Sequence, residues 1–311
     1  MEIRFPDDVW TSTFGRTPRA GGRAEQALQA RPGRTNARFP VILGSLLLAF
    51  CAPAQAVDAL ELRAAMQKLA PSVVRIEAAR GDQGRNGMGS GVVFAPERVA
   101  TNCHVVRNAA EVAVLSGTMR WEATARQAHP QHDVCILTVP GLSLPSVDSA
   151  PSGSVAPGGR VLALGYSGGF GLSPSMGAVR AAHAFDGGHV LQTDAGFSSG
   201  ASGGGLFDEA GHLVGLLTFR LPARGAYFFT VPVEWVHAAA GAEVTAIGPI
   251  VGAASFWEGQ PNLLPYFLRA ATLEAAGNAS GLLELTALWL EEEPQNADAR
   301  AFRERALSLQ R

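Results

Sequence analysis

The chain has 311 residues, 47% hydrophobic and 17% charged, with a formal net charge of −2 at pH 7. That apolar share supports one large core or two moderate ones, and the low charge content excludes a disordered chain. No basic excess invites nucleic acid, and the three cysteines and seven histidines stand at no zinc-like spacing, so neither a metal nor a cofactor is expected.

Charge is unevenly spread. Residues 1–40 hold seven arginines (Arg4, Arg16, Arg19, Arg23, Arg31, Arg34, Arg38) against four acids (Glu2, Asp7, Asp8, Glu25), and residues 41–56 hold no charged side chain. "RFPVILGSLLLAFCAPAQA" has a basic start at Arg38, an apolar h-region over 41–52 and small residues at Ala54 and Ala56, the pattern of a secretory signal. Residues 1–56 are therefore expected to be a leader, with a mature chain from Val57 that is periplasmic or secreted. An uncleaved anchor would need roughly 20 apolar residues, more than this run supplies. Lipid attachment at Cys51 is a further alternative, disfavoured by the large Phe50 before it. No later stretch is long enough to cross a bilayer, so no stable membrane span is expected after signal cleavage.

Residues 57–70, "VDALELRAAMQKLA", read as a short amphipathic helix and linker leading to Pro71. From 71 to about 245 the pattern is short apolar runs separated by Gly, Pro, Asn or Asp: "SVVRIEA", "GSGVVFA", "RVATNCHVV", "EVAVLSG", "DVCILTV", "RVLALGY", "HVLQTDA", "HLVGLLTF" and "AYFFTVPV". Many such strands with no helices between them predict a mainly β, antiparallel barrel or sandwich rather than a parallel α/β sheet. Residues 255–311 return to helical spacing, with Gly277-Asn278 as a stop and Asn296 as an N-cap. "WLEEEPQNADARAFRERA" resembles a junction between tetratricopeptide repeats, but the 34-residue period is not met twice. Three helices packed on the β domain are the plainer reading, and a protein partner at this tail is the functional one.

"GFSSGASGGGLF" (196–207) is either a flexible linker or a turn that exposes a reactive serine. A serine hydroxyl needs a neighbouring base, and the base a carboxylate that orients it. Of the seven histidines, His104 alone ends an apolar strand behind small or polar residues, in "VATNCHVV". Asp133 opens the apolar strand "DVCILTV", where a carboxylate would be buried and therefore needs partners. An ordinary turn aspartate and ordinary surface histidines are the bland alternatives.

The chain order His104, Asp133, Ser202 is that of chymotrypsin-type proteases rather than of subtilisin or α/β-hydrolases. "TNCHVV", "HDVCIL" and "GASGGGLF" resemble the His, Asp and Ser motifs of the trypsin-like superfamily, in particular its bacterial HtrA/Deg branch. "APSVVRIEA", "GSGVVFA", "LGYSGGFGLSPSMGAVRA" and "LQTDAG" are similar to that branch in the same order, over about residues 70–233. The resemblance implies two antiparallel six-stranded β-barrels over 71–245 and a serine endopeptidase acting on proteins or peptides through His104, Asp133 and Ser202. It further implies an oxyanion hole from the amides of Gly200 and Ser202. The primary pocket would be lined by Gly196, Phe197, Leu217, Thr218 and Phe219, with no acid at its floor and hence a taste for apolar side chains. A catalytically silent binding module on the same fold, or an esterase with the same triad, are the competing readings.

Several departures stand out. Ala201 replaces the Asn or Asp usual before the serine, Gly205 a frequent Pro or Ala, and the helical tail stands where a PDZ module would be. Cys103 precedes His104 and Cys135 follows Asp133 by two residues. If the resemblance holds and base and acid pair, the two cysteines come within the ~4.4–6.8 Å Cα range of a disulfide, which export would permit. Two buried thiols packed as small hydrophobes are the alternative.

Overall fold

The computed structural model describes residues 54–79, 86–169, 171–222, 227–252 and 254–310, with side chains from residue 62 onward. The proposed leader lies outside them but for its last residues, because the first helix, α1 (Ala54–Leu69), already begins before the expected cleavage point. Seven strands follow: β1 (Val73–Ala79), β2 (Gly87–Ala95), β3 (Arg98–Thr101), β4 (Glu111–Ser116), β5 (Met119–Glu122), β6 (Ala125–His129) and β7 (Val134–Thr138). A single turn of helix, α2 (Cys103–Val106), interrupts them after β3.

These strands form one antiparallel sheet in the order β6-β7-β3-β2-β1-β4-β5. Its ends are consecutive in the chain. The amide of Ala123 bonds to Val112 O on β4 (2.9 Å), and that of Thr124 to Thr138 O on β7 (2.9 Å). β5 and β6 are thus two halves of one bent strand that serves both edges, which makes the curled sheet the equivalent of the six-stranded barrel expected. β14 (Val244–Ala246), from beyond the second barrel, adds a further strand against β6.

The second barrel closes fully, in the order β10-β13-β12-β11-β8-β9. Its strands are β8 (Arg160–Gly165), β9 (Ser173–Phe185), β10 (Gly188–Thr193), β11 (Gly205–Phe207), β12 (Leu213–Arg220) and β13 (Phe228–Pro232). Closure leaves no unpaired edge, and Val179, Leu191, Leu206, Val214 and Leu217 are buried together in one apolar cluster. Helix α3 (Val233–Ala240) then leads back to the first barrel. There Gln127 Nε2 donates to Ala240 O (2.5 Å) and Ala242 O (2.7 Å), and Arg126 donates to the carbonyls of Gly248 and Pro249.

Helices α4 (Tyr266–Ala275), α5 (Ala279–Glu292) and α6 (Ala297–Leu309) form the tail. Gly277 ends α4 at φ +68°, and the side chains of Asn278 and Asn296 accept from Gly281 N (3.0 Å) and Ala299 N (2.9 Å) as N-caps. The tail shares one apolar cluster with the barrels: Phe267, Leu282, Trp289 and Phe302 belong with Val190, Phe229 and Trp235. At this seam His183 is fully buried, stacked on Phe267 (4.7 Å) with Nδ1 2.8 Å from Asp298 Oδ2. Burial, then the neighbouring Glu274 on α4, pushes the Tyr227 hydroxyl up to about 12, so it stays neutral beside the tail. Phe302→Ala should therefore destabilise the whole described body by about 3–5 kcal/mol, with tail and barrels lost in one denaturant transition. Separate transitions in a urea titration would contradict the shared core.

Candidate active site

β3 and β7 pair with Thr101 opposite Cys135, so the residues just past each strand end become neighbours. After β3, Asn102 turns the chain into α2, which carries His104. Before β7, a 3₁₀ turn over Pro130–His132 ends at Asp133, held at φ +58°. Left-handed backbone is tolerated by aspartate, and here it aims the carboxylate back at α2. Asp133 Oδ1 accepts from the His104 backbone amide (2.8 Å), and Oδ2 stands 2.6 Å from His104 Nδ1. The carboxylate is fully buried, whereas the histidine side chain is 25% exposed. Asn102 Nδ2 ties the two segments further, donating to Asp133 O (2.9 Å) and Thr218 Oγ1 (3.1 Å). Cys103 and Cys135 form a disulfide with Cα atoms 4.9 Å apart, so the bridge, not the pair of thiols, is what the structure contains.

Ser202 lies on the turn between β10 and β11. Gly200 and Gly203 have φ of +94° and +86°, and each sits where an added Cβ would strike a carbonyl oxygen, that of Tyr166 or of Ser90. Glycine is therefore required at both positions. Gly89 does the same service on β2, where a Cβ would meet Val105 of α2 and approach Ser202 O. Ser90 stitches the turn down: its amide donates to Ser202 O (2.8 Å) and its hydroxyl to Gly200 O (2.8 Å). Ala201 is fully buried among Val179, Ala195 and Leu217, an apolar setting that explains why no Asn or Asp stands there. The Ser202 hydroxyl donates to Thr218 O (3.2 Å), and among the described residues no hydrogen bond joins it to His104. Among those residues, too, no carbonyl accepts from the amides of Gly200 and Ser202.

The expected pocket residues separate into groups. Gly196 faces the Phe228 ring, and Phe197 packs on that ring at 5.2 Å. Leu217 lies inside the second barrel, while its amide and carbonyl bond the serine turn at Gly204 O and Gly203 N (2.8 Å each). Thr218 is buried with its hydroxyl donating to Leu216 O (2.8 Å), and Phe219 stacks on Phe229 (4.9 Å).

Two groups of residues at the site have no sequence motif. Trp257 donates its indole N–H to Asp133 Oδ2 (3.2 Å), sets its ring edge-on to His104 (5.5 Å) and stacks on Phe219 (5.1 Å). Arg107, just beyond α2, bonds Glu258 Oε2 (2.6 Å) and Ser255 Oγ (3.2 Å). Burial alone would raise the Glu258 carboxyl, but hydrogen bonds from Arg107 and Ser255 hold it below its ordinary value. On the far side of the acid, His132 stacks between His129 (4.0 Å) and Trp235 (3.9 Å), and burial lowers its pKa. The one signal for Trp257 in the sequence is that Phe256 and Trp257 are an aromatic pair in a connector with no other aromatic residue.

Two outcomes follow from this geometry. Replacing both Cys103 and Cys135 by Ala should cost about 3–4 kcal/mol of unfolding free energy in the chain-entropy view, read by denaturant titration. A change below about 1 kcal/mol would mean the ladder between β3 and β7 already restricts the unfolded loop. Glu258 binds its proton less readily when folded than unfolded, so its stabilising pair is present above the ordinary carboxylate range and is lost as pH falls through the depressed value. Below about pH 4.5, wild-type stability should fall more steeply than that of Glu258→Gln, measured by thermal midpoint against pH.

Residues 89–216 match the family model of the trypsin-like peptidase domain. A probable periplasmic serine endoprotease, DegP-like, of Ectopseudomonas mendocina is 36% identical over 156 residues, 47% of this chain and 33% of that protein. Across the first curated relatives the match spans only 33–40% of their length. The crystal structure of the active form of Rv3671c protease from M. tuberculosis superposes with a TM-score of 0.55 at 29% identity, covering 63% of this chain and 90% of that one. The HtrA-type protease AlgW with tripeptide gives 0.52 at 27% identity, over 57% of this chain and 61% of that one. Over residues 89–216 the chain is thus similar to the trypsin-like peptidase domain, and its fold, with His104 and Asp133 paired, is similar to those of the DegP- and HtrA-type serine proteases.

Proposed function

We propose that the chain is an exported serine endopeptidase that hydrolyses peptide bonds through an acyl-enzyme. The observation that carries this is the 2.6 Å contact between a buried Asp133 carboxylate and His104 Nδ1, with the Ser202 turn beside it. In the reaction, the Ser202 hydroxyl leaves Thr218 O by rotation about χ1 and turns to His104 Nε2. Oγ then attacks the substrate carbonyl carbon while Nε2 takes its proton. The carbonyl oxygen gains the negative charge, and the amides of Gly200 and Ser202 would stabilise it by a few kcal/mol. Collapse expels the amine with the proton from His104, leaving the acyl-enzyme; water attacks next by the same steps in reverse role. Asp133 fixes the imidazole so that Nε2, not Nδ1, faces the serine, and it offsets the positive charge on the ring.

Export rests on the signal pattern within residues 1–56 and on relatives named as periplasmic. The rings of Phe197 and Phe228 at the pocket favour apolar side chains. Fluorogenic peptides with an apolar residue before the scissile bond should be cleaved faster than ones with Lys or Arg there, and the reverse order would refute the pocket assignment.

One observation favours a second reading, a silent binding module: the Ser202 hydroxyl is engaged by Thr218 O rather than by His104. Fluorophosphonate labelling separates the two. An enzyme labels at Ser202, and Ser202→Ala does not. Each of Ser202→Ala, His104→Ala and Asp133→Ala should lower kcat by about 10⁴-fold or more, with little further loss in the triple variant. Absence of labelling in the folded wild type would sink the enzyme reading.

A further inference from the structure

The Asp133 carboxylate holds one more hydrogen bond than the proposed triad requires, and it comes from outside the residues that match the peptidase family. Trp257 lies beyond residue 216, in the connector between the barrels and the tail. Its indole N–H reaches Asp133 Oδ2 (3.2 Å), the same oxygen that faces His104 Nδ1 (2.6 Å). We propose that Trp257 is a positioning residue for the Asp133–His104 pair, held in place by a strap of residues 255–258. The proposal rests on the peptidase reading of Ser202, His104 and Asp133.

Three independent observations support the role. First, a fully buried carboxylate is costly unless charge-assisted donors surround it. Oδ1 receives the His104 amide, so Trp257 supplies the donor that Oδ2 has besides the imidazole. Second, the indole is locked by packing. One face lies on Phe219 (5.1 Å, 14°), which in turn stacks on Phe229 (4.9 Å, 6°), and its plane meets the His104 ring nearly at right angles (85°). The same ring that bonds the acid therefore walls one side of the base.

Third, the strap grips both segments that carry the pair. On the acid's turn, Ser255 Oγ donates to Pro130 O (3.1 Å) and Phe256 N to Gln131 O (2.9 Å). On the base's helix, Arg107 binds Glu258 and Ser255. The strap is itself closed by Ser255 N donating to Glu258 Oε2 (3.1 Å). Phe256 packs near Phe185, Phe219 and Trp235, which joins the strap to the cluster shared with the tail. The charged and titratable groups around the pair are Arg107 after the base's helix, Glu258 on the strap and His132 on the acid's turn.

With the indole donor removed, Oδ2 is left to the imidazole alone; with the whole ring removed, as in Trp257→Ala, the imidazole also loses the wall that fixes its plane. Trp257→Phe keeps a ring against Phe219, so the residues expected to line the pocket keep their packing. The loss should therefore fall on kcat rather than on KM.

The test uses the exported chain with Trp257→Phe, which keeps the stacking on Phe219 and deletes the N–H, beside Trp257→Ala. A hydrogen bond to a charged group corresponds to roughly a 10- to 100-fold loss in kcat for Trp257→Phe, with KM within about twofold. The acid limb of the kcat/KM profile should move to higher pH, because the carboxylate then favours the protonated ring more strongly. In the Ser202→Ala protein, the Trp257 indole proton should be a distinct NMR resonance that shifts on adding Asp133→Asn. Fluorophosphonate labelling of the wild type with unchanged kcat and pH profile in a folded Trp257→Phe overturns the positioning role alone. An indole resonance that ignores Asp133→Asn overturns it as well. Failure of the folded wild type to label overturns the peptidase reading and this role with it.

Discussion

A carboxylate with no access to water is the constraint around which the described body is organised. Asp133 is buried completely, and an ionised group in that position persists only if donors replace the water it has lost. The backbone amide of His104, its ring and the indole of Trp257 provide them. These donors arrive on two pieces of machinery: a helical turn fixed by Asn102 and the disulfide, and a connector fixed by Arg107 and Glu258. Even the left-handed backbone of Asp133 belongs to this arrangement, because it directs the carboxylate at the donors rather than along the strand. Loss of one donor would leave the charge partly uncompensated, the situation in which breaking a buried pair is most costly.

The serine turn obeys a different rule, that of close backbone approach. Gly89, Gly200 and Gly203 have neighbours where a side chain would be, and Ser90 fastens the turn from the opposite barrel. The hydroxyl held on this turn is engaged by Thr218 O. His104 and Asp133 thus lie on the first sheet and Ser202 on the second barrel, across a contact that is itself part of the fold.

Much of this was legible in the residues, and the reasons differ by element. Short apolar runs bounded by turn residues pointed to antiparallel strands in a barrel or a sandwich, and the family resemblance chose the barrels. His104, Asp133 and Ser202 were singled out because local motifs travel with the backbone turns that hold them. The Cys103–Cys135 bridge was one of two outcomes implied by the resemblance once His104 and Asp133 pair, and the structure forms it beside the register that sets Thr101 against Cys135. Trp257 had no such handle. Its partner is 124 residues away, and one indole hydrogen bond leaves no periodicity. The bent β5–β6 strand was equally hidden, because neither Met119–Glu122 nor Ala125–His129 carries an apolar run, and only the switch of partners at Ala123 and Thr124 reveals the curl. The orientation of the Ser202 hydroxyl is a rotamer, which no sequence pattern encodes.

The return of β14 to the first barrel has a mechanical meaning. The chain passes from the first barrel to the second once, then comes back through α3 to lay Val244–Ala246 along β6, where Arg126 and Gln127 grasp the carbonyls on either side. Two bodies joined by one linker can hinge about it; two bodies sewn by an outgoing and a returning strand have lost that freedom. A substrate bound across the seam would then meet a cleft of fixed width.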